Sequence, residues 1–320
     1  ALASALIGVV HPLQTQSVTY IIQRSESLMG FCYLLTLYGV ICSDGSSTYR
    51  WWNVVSIVAC VAGMAAKAVM VTAPVVVLLY DRVFLAGTWR ELWRRRWKLY
   101  LGLAATWVVL WLLVIRTPHL AGPRASFPFI DVTPLEYART QAGVILHYLR
   151  LVLWPSPLVF DYQWLIAATI HAILWPALAC SALLLTTVWA WRRRPELGFL
   201  GVWFFVMLAP TSSFFPLADL AAEHRMYLPS AAVISFVVFI GYAVCERLGS
   251  FRLRLKHLSG VSLVMAGIAL LGAMTIMRNR DYQTAEAIWR RSSSMSGMPR
   301  RSRPSFPTIS TPSNYSVSGS

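Results

Sequence analysis

The feature that most constrains this chain is a series of apolar runs, each about as long as a membrane is thick, separated by short basic loops. A helix that spans a bilayer needs about 20 mostly apolar residues. Hydrophobic residues make up 57% of the chain and charged residues 13%, whereas soluble domains are about 45–50% apolar and about 25% charged. This excess predicts an all-α, polytopic membrane protein. The predicted spans are 28–42, 99–115, 169–191, 197–212, 229–246 and 258–277, with a shorter run at 1–10.

The run 52–85 is too long for one span, and Lys67 interrupts it near the middle. Two short helices, 52–66 and 69–85, joined by a tight turn at Lys67, satisfy the rule that basic loops stay inside. Together with the run at 1–10, this gives about eight crossings. The inner loops then hold the basic residues of 50, 82–98, 192–194 and 247–256, and the outer loops hold Arg24, Lys67, Arg116, Arg124, Arg139, Arg150 and Arg225.

The segment 135–153 has a different pattern from the predicted spans. Its polar residues are three or four positions apart and therefore share one stripe of a helix. Leu146, Leu149, Val152 and Leu153 cover another side. The segment is predicted to lie at the interface on the outer face rather than to cross. The stripe consists of Glu136, Arg139, Gly143, His147 and Arg150.

Three regions are predicted along the chain. Residues 1–277 form the transmembrane domain, residues 278–291 form a link, and 292–320 form a Ser/Pro/Arg-rich tail expected to be disordered. Because the chain begins inside an apolar run, an earlier span is expected to precede it. The basic residues lie in short loops and in the tail, which argues against nucleic acid as a partner.

The outer loops bring cations together with carboxylates and histidines. Charged groups at membrane depth are expensive and mark function or paired structure. Cations at the headgroup level, above apolar spans, suit an anionic phosphate that carries a long hydrophobic tail. The candidate residues are His11, Arg24, Glu26, Lys67, His147, Arg150, Glu223, Arg225 and Tyr227.

Structural interpretations of the same residues stay open. Lys67 could extend toward the interface from a short turn, and Arg24 with Glu26 could be a surface pair. Glu223 with Arg225 could stabilise a helix start. His11 could end a helix before Pro12, and His147 with Arg150 could meet lipid headgroups.

Four segments carry a resemblance to a known family. They are HPLQTQSVTYIIQRSESL, AAKAVMVTAPVVVLLYD, AAEHRMYLPSAA and RNRDYQTAEAIWRR, which together cover roughly 1–291. The set resembles the tetratricopeptide-repeat-containing transmembrane O-mannosyltransferases and their bacterial relatives. That family has HP-x-H-T-E-A-V…GRAEL, S-K-E and A-E-R-x-x-Y-L-P-S at the first three segments, and a link to its repeats at the fourth.

The resemblance implies a lipid-donor glycosyltransferase of the GT-C fold. Such an enzyme moves a sugar, typically mannose, from a polyprenyl or dolichyl phosphate to an acceptor hydroxyl on the non-cytoplasmic face. The donor, an acceptor protein or glycan, and membrane lipids are the implied partners, with no metal assigned. By matching positions, His11, Glu26 and Glu223 carry catalytic or orienting roles. The implied donor-phosphate residues are Arg24, Lys67, Arg225 and Tyr227, with His147 and Arg150 added from the amphipathic helix.

The chain also departs from that family. Gln14 and Gln16 stand where the family has His and Glu, and no 34-residue repeat is visible. The family's catalytic acidic residue lies in a first outer loop that this sequence does not contain, so the general base is expected outside it. Two rival functions stay open: a transporter or flippase for lipid-linked sugars, and an inactive membrane scaffold. The expected compartment is the bacterial inner membrane, with the endoplasmic reticulum as the alternative.

Overall fold

A computed structural model describes residues 2–85, 87–116, 132–160, 162, 164–213, 217, 219–248 and 253–282. This part of the chain is helical and contains no strand. Most of the predicted link and the whole predicted tail lie outside the described residues. The α-helices are α1 (Leu2–Val10), α2 (Thr15–Thr19), α3 (Arg24–Ser43), α4 (Tyr49–Ala66), α5 (Ala73–Tyr80), α6 (Trp89–Arg116), α7 (Pro134–Leu153), α8 (Ile170–Arg193), α9 (Pro195–Leu208), α10 (Pro229–Leu248) and α11 (Leu253–Asp281).

Five helical segments in the described chain are long and apolar enough to cross a membrane. The chain is therefore an α-helical membrane protein, as the apolar runs predict. Helices also form at three other predicted spans, as α4, α9 and α11, although α9 has only 14 residues. The five long apolar segments are Ile21–Ser43, Ala68–Leu85, Trp89–Arg116, Ile170–Arg193 and Pro229–Arg247.

The predicted break at Lys67 is present. α4 ends at Ala66, and Lys67 has an extended backbone with φ −161° and ψ 143°. The 3₁₀ turn Ala68–Thr72 then leads into α5, where Pro74 near the first helical position needs no helical hydrogen bond of its own. The chain reverses at Lys67, which places this lysine at one end of the bundle.

Helix α7 forms where the amphipathic segment was predicted, but it packs through a different face. Thr133 and Glu136 form a reciprocal capping box, which explains why the helix begins there. Of the four apolar residues predicted to cover one side, only Val152 is fully buried. The buried stripe includes Tyr137 and Tyr148 because their hydroxyls find partners in the bundle. Tyr137 donates to Thr211 O at 2.6 Å, and Tyr148 accepts from Ala222 N at 2.8 Å.

The bundle is built from helices that pack side by side. α3 packs along α4, α4 against α6, α8 against α9 and α7, and α9 against α10, while α1 contacts α10 and α11. Tyr33, Met70, Trp203 and Met207 are buried between these helices. A rigid core of this kind fixes which helix ends meet, and two polar groups form, one at each end of α3.

Candidate functional site

The loops predicted to lie outside meet at one end of the bundle, hereafter the polar end, formed by 11–26, Lys67, 157–160, Tyr162, 219–230 and 278–282. The backbone N–H of His224 donates to Gln16 Oε1 at 2.7 Å. The Gln14 amide donates to Ser230 Oγ at 3.1 Å. These contacts join the segment 14–16 near the start of the chain to the segment 224–230, which the predicted topology places on the same side.

The amides of Gln14 and Gln16 therefore hold two loops together. Gln14 and Gln16 both reach the 224–230 segment, and Gln16 is only 4% exposed. Neither amide titrates. Their positions at the polar end support a binding or positioning role and exclude acid–base chemistry by these two side chains.

Lys67 and Glu26 form an ion pair across the helix ends. Lys67 Nζ donates to Glu26 Oε1 and also to Gln23 Oε1 at 3.3 Å. The Glu26 side chain is 4% exposed, whereas the Lys67 side chain is 26% exposed. The buried carboxylate therefore directs the ammonium group, while part of the lysine side chain stays exposed.

Arg225 is buried and its guanidinium is occupied by the protein. It donates to Asp219 O, to Thr211 O and Leu220 O at 3.4 Å each, and to the Tyr137 hydroxyl at 3.3 Å. Three of these four acceptors are backbone carbonyls. Arg225 therefore anchors the loop before α10. These acceptors are uncharged and do not neutralise it, so its positive charge stays at the polar end.

His224 lies between the two cations Lys67 and Arg225. Burial, reinforced by the charges of these two residues, lowers the pKa of His224 to about 2. The ring is therefore neutral at physiological pH. Its Nδ1 is buried and has no hydrogen-bond partner among the described residues, and the lowered pKa makes the ring a weak general base.

Glu223 is completely buried and pairs with a residue that the sequence reasoning missed. Its carboxylate accepts from Val159 N at 2.7 Å and Tyr162 Oη at 2.9 Å, and from Arg278 at 3.4 Å. Burial raises the pKa of Glu223, and Arg278 with the two hydrogen bonds opposes that rise. Through these contacts Glu223 joins α11 to two loops. Its role in this arrangement is to hold those segments in position.

The glutamates do not pair with the arginines next to them in sequence, and each pairs with a distant cation instead. Glu26 pairs with Lys67 rather than with Arg24, and Glu223 pairs with Arg278 rather than with Arg225. Arg278 could have been found as the first cation after the last apolar run. Its partner could not, because nothing local in sequence links 223 to 278.

His11 is buried at the end of α1. Leu13 N donates to its Nδ1 at 3.3 Å, so Nε2 carries the proton and donates to Val152 O at 3.0 Å. Burial lowers the pKa of His11, which keeps this tautomer neutral. His11 thus ties α1 to the end of α7 and caps the 3₁₀ turn Pro12–Gln14.

The remaining candidates surround this core at the polar end. His147 packs edge-on to Tyr162 and against Trp164, with ring centroids 5.0 and 4.9 Å apart. Tyr227 packs on α3 so closely that a methyl group at Gly30 would lie 2.4 Å from its ring. Arg24 and Arg150 are exposed, and neither has an ion-pair partner within the described chain.

Several buried polar atoms near the Lys67–Glu26 pair have no partner in the described chain. They lie in the segment 14–17 and at His224, and the hydrogen bond from His224 N to Gln16 holds these two places together. Buried polar groups are normally satisfied, so such a cluster is typical of a site that binds a polar ligand or water. The atoms are Gln14 Oε1, Thr15 Oγ1, Ser17 Oγ and His224 Nδ1.

The described residues contain no group of three or more His, Cys, Asp and Glu side chains that could hold a metal ion. Comparisons with protein-family models, curated proteins and solved structures found no match to this chain. The geometry of the polar end and the resemblance in its motifs are therefore the basis for a functional assignment.

Proposed function

We propose that the polar end binds the phosphate of a polyprenyl- or dolichyl-phosphate sugar and that the protein transfers the sugar, mannose by resemblance, to an acceptor hydroxyl. In this proposal the chain is part of a GT-C-like bundle with about eight crossings, and α7 lies at the outer interface. The polar end faces the non-cytoplasmic side of a bacterial inner membrane.

The observation that carries this proposal is the state of Lys67. Its ammonium is oriented by the buried Glu26, yet the side chain keeps 26% of its surface exposed. Arg225 and Arg278, by contrast, donate their hydrogen bonds to acceptors inside the protein. A Lys ammonium binds phosphate as a point charge, so Lys67 is the cation of this group best placed to receive one.

An apolar surface leads away from the same point. The exposed residues of α3 begin at Arg24 and continue through Leu28, Phe31, Leu34 and Tyr38, three or four positions apart. This spacing places them on one stripe of the helix. A phosphate held at Lys67 and Arg24 would leave its isoprenoid chain along this stripe, within the lipid.

The proposed transfer breaks one bond and forms another. The acceptor oxygen attacks the anomeric carbon, the bond from that carbon to the phosphate oxygen breaks, and the lipid phosphate leaves with both electrons. Lys67 stabilises the charge that develops on the leaving oxygen. The acceptor proton passes to a carboxylate base, which the resemblance places in a loop outside this sequence.

Neighbouring groups then have supporting roles. Glu26 and Gln23 orient Lys67, and the neutral His224 offers Nδ1 to a sugar or acceptor hydroxyl. Arg225 and Glu223 hold the loop that carries His224, and His11 fixes the turn that carries Gln14 and Gln16. The burial of His11, Gln16, Glu26, Glu223, His224 and Arg225 is consistent with these supporting roles.

The test is transfer from a radiolabelled polyprenyl-phosphate mannose by the full-length protein in proteoliposomes. Lys67→Ala is expected to lower transfer by a factor of about 100 or more, as loss of one charge-stabilising donor does. Lys67→Arg should retain more activity than Lys67→Ala. Arg50→Ala, an exposed cation at the other end of the bundle, is the matched control and should leave transfer unchanged.

Two outcomes contradict the proposal. Full activity of Lys67→Ala at equal protein abundance removes Lys67 from the site. Movement of the labelled lipid across the membrane with its sugar still attached, and no transfer, establishes the flippase instead.

A further inference from the structure

A second charged region lies at the opposite end of α3 from the polar end, in the segment Trp89–Lys98, hereafter the inner basic segment. Thr88 caps its start through Glu91 N at 3.3 Å. The helix is interrupted at Arg96, which has φ −132° and ψ 17°. Residues before this break form a short helical segment of their own, attached to the long apolar part of α6.

Three tryptophans mark the depth of the inner basic segment. Trp89, Trp93 and Trp97 are 46%, 54% and 49% exposed, so each ring is about half covered. Arg82 lies over the Trp89 ring at 5.8 Å, and Lys98 lies over Trp97 at 5.7 Å. Tryptophan rings that contact both apolar and charged groups are typical of the headgroup layer of a membrane.

The charge of this segment is mostly uncompensated. Glu91 pairs with Arg95 at 3.5 Å, while Arg90 and Arg94 are exposed and have no ion-pair partner in the described part of the chain. Arg90 and Arg94 are four apart on the helical segment before Arg96, and Lys98 follows shortly after the break. Such a cluster beside a spanning helix attracts anionic lipid headgroups.

Arg96 holds the segment in place. It pairs with Asp44 at 2.7 Å and with Asp81 at 3.3 Å, and it also donates to Val40 O at 3.3 Å. Asp81 is fully buried and accepts from the Tyr100 hydroxyl at 2.6 Å. Arg96 is thus neutralised inside the protein, and it fixes the inner basic segment at the level of the helix ends.

We propose that the inner basic segment is a binding site for the phosphate headgroups of anionic phospholipids. Arg90, Arg94 and Lys98 bind the phosphate, and the tryptophans hold the segment among the headgroups. Leu92 packs inward at 1% exposure, and the acids at 44 and 81 fix the break at Arg96. This site is independent of the proposed transfer reaction at the polar end.

The experiment measures the affinity of the detergent-purified full chain for phosphatidylglycerol and for phosphatidylcholine by native mass spectrometry. The wild type should bind phosphatidylglycerol more tightly. The triple variant Arg90→Gln, Arg94→Gln, Lys98→Gln should lose at least about tenfold in that affinity, since each surface cation contributes about fivefold. The matched control replaces Arg192, Arg193 and Arg194 by Gln, which removes the same charge from another inner loop.

Glu91→Gln provides a second arm that does not depend on the triple variant folding. It releases Arg95 from its pair and should tighten binding of phosphatidylglycerol by a few-fold. Equal affinity of the wild type for the two lipids overturns the proposal and leaves an acidic protein as the occupant to test. An equal loss of phosphatidylglycerol affinity in both triple variants would show that binding follows net charge alone, and it would also overturn the proposal.

Discussion

Within the described chain, Glu26 and Glu223 each form an ion pair with one cation that is distant in sequence, so the loss of that cation has a large effect. Arg278 is the cation for Glu223, which is fully buried, and its Nη1 also donates to Leu158 O at 2.5 Å. Breaking a buried pair leaves a charge without compensation, which typically costs about 3–5 kcal/mol. Arg278 is thus the residue on which the packing of α11 against the loops depends most.

Arg278→Gln is therefore expected to lower the free energy of unfolding by about 3–5 kcal/mol in detergent micelles. Arg280→Gln, an exposed arginine on the same helix, is the control and should change stability by less than about 0.5 kcal/mol. The double variant Glu223→Gln, Arg278→Gln should recover part of the loss. Equal stability of Arg278→Gln and the wild type would show that the pair is not formed.

His224 predicts a loss of stability in acid. Its pKa in the folded protein is about 2, below the ordinary value of 6.5, so the unfolded chain binds the proton more readily. The contribution of His224 is complete above pH 6.5 and is lost as the pH falls, by about 1.4 kcal/mol per pH unit. Since burial also lowers the pKa of His11 and His147, they add to the same trend.

His224→Gln should flatten this dependence when chemical unfolding is followed between about pH 7 and pH 5. His171→Gln, which changes an exposed histidine on α8, should leave the slope as it is in the wild type. A slope that is the same in His224→Gln and the wild type would mean that His224 titrates normally.

Among the elements, the contact of α3 with Tyr227, which directly follows the turn Glu223–Met226, depends on the absence of a side chain at residue 30. Gly30→Ala would place a methyl group 2.4 Å from Cε1 of Tyr227, which forces that ring and its turn to move. Overpacking of this kind costs about 1–3 kcal/mol. Gly241→Ala meets nothing within 4 Å and serves as the control.

Thermal unfolding should therefore show a lower midpoint for Gly30→Ala and an unchanged or higher midpoint for Gly241→Ala, because alanine favours a helix over glycine. Transfer activity should fall with Gly30→Ala as well, since Tyr227 follows His224 and Arg225 in the same turn. An unchanged midpoint would show that Tyr227 does not pack on α3.

The elements differ in how far the sequence alone predicts them. The apolar runs and the break at Lys67 were predictable because lipid imposes a length and a charge pattern on each span. The buried face of α7 was not, since Tyr137 and Tyr148 are buried through hydrogen bonds to distant loops. The break at Arg96 was also missed, because its cause is the pair of acids at 44 and 81.

At the scale of the whole molecule, Arg24 and Arg50 lie at opposite ends of the helix pair α3 and α4. The predicted topology puts Arg24 outside and Arg50 inside. With the native cysteines replaced, Arg24→Cys should react with a membrane-impermeant maleimide in intact cells. Arg50→Cys should react only after the membrane is opened, and the reverse result would invert the orientation.

The candidate site was predictable only as a set of residues at one end. The positive-inside rule groups Lys67, Glu26, Glu223 and Arg225 without giving their partners. The contacts at the polar end come from packing between segments as far apart as Gln16 and His224. Pairing at that separation leaves no local pattern in one sequence, so the sequence shows which residues gather and the structure shows how.

The long-range ion pairs also have a consequence for the order in which the groups are synthesised. Each buried carboxylate of the polar end precedes its cation along the chain: Glu26 comes before Lys67, and Glu223 comes before Arg278. A ribosome therefore delivers each acid to the insertion machinery well before the group that neutralises it. The pair of Glu223 can therefore form only after α11 has emerged, so α11 completes a polar end that the segments before it began.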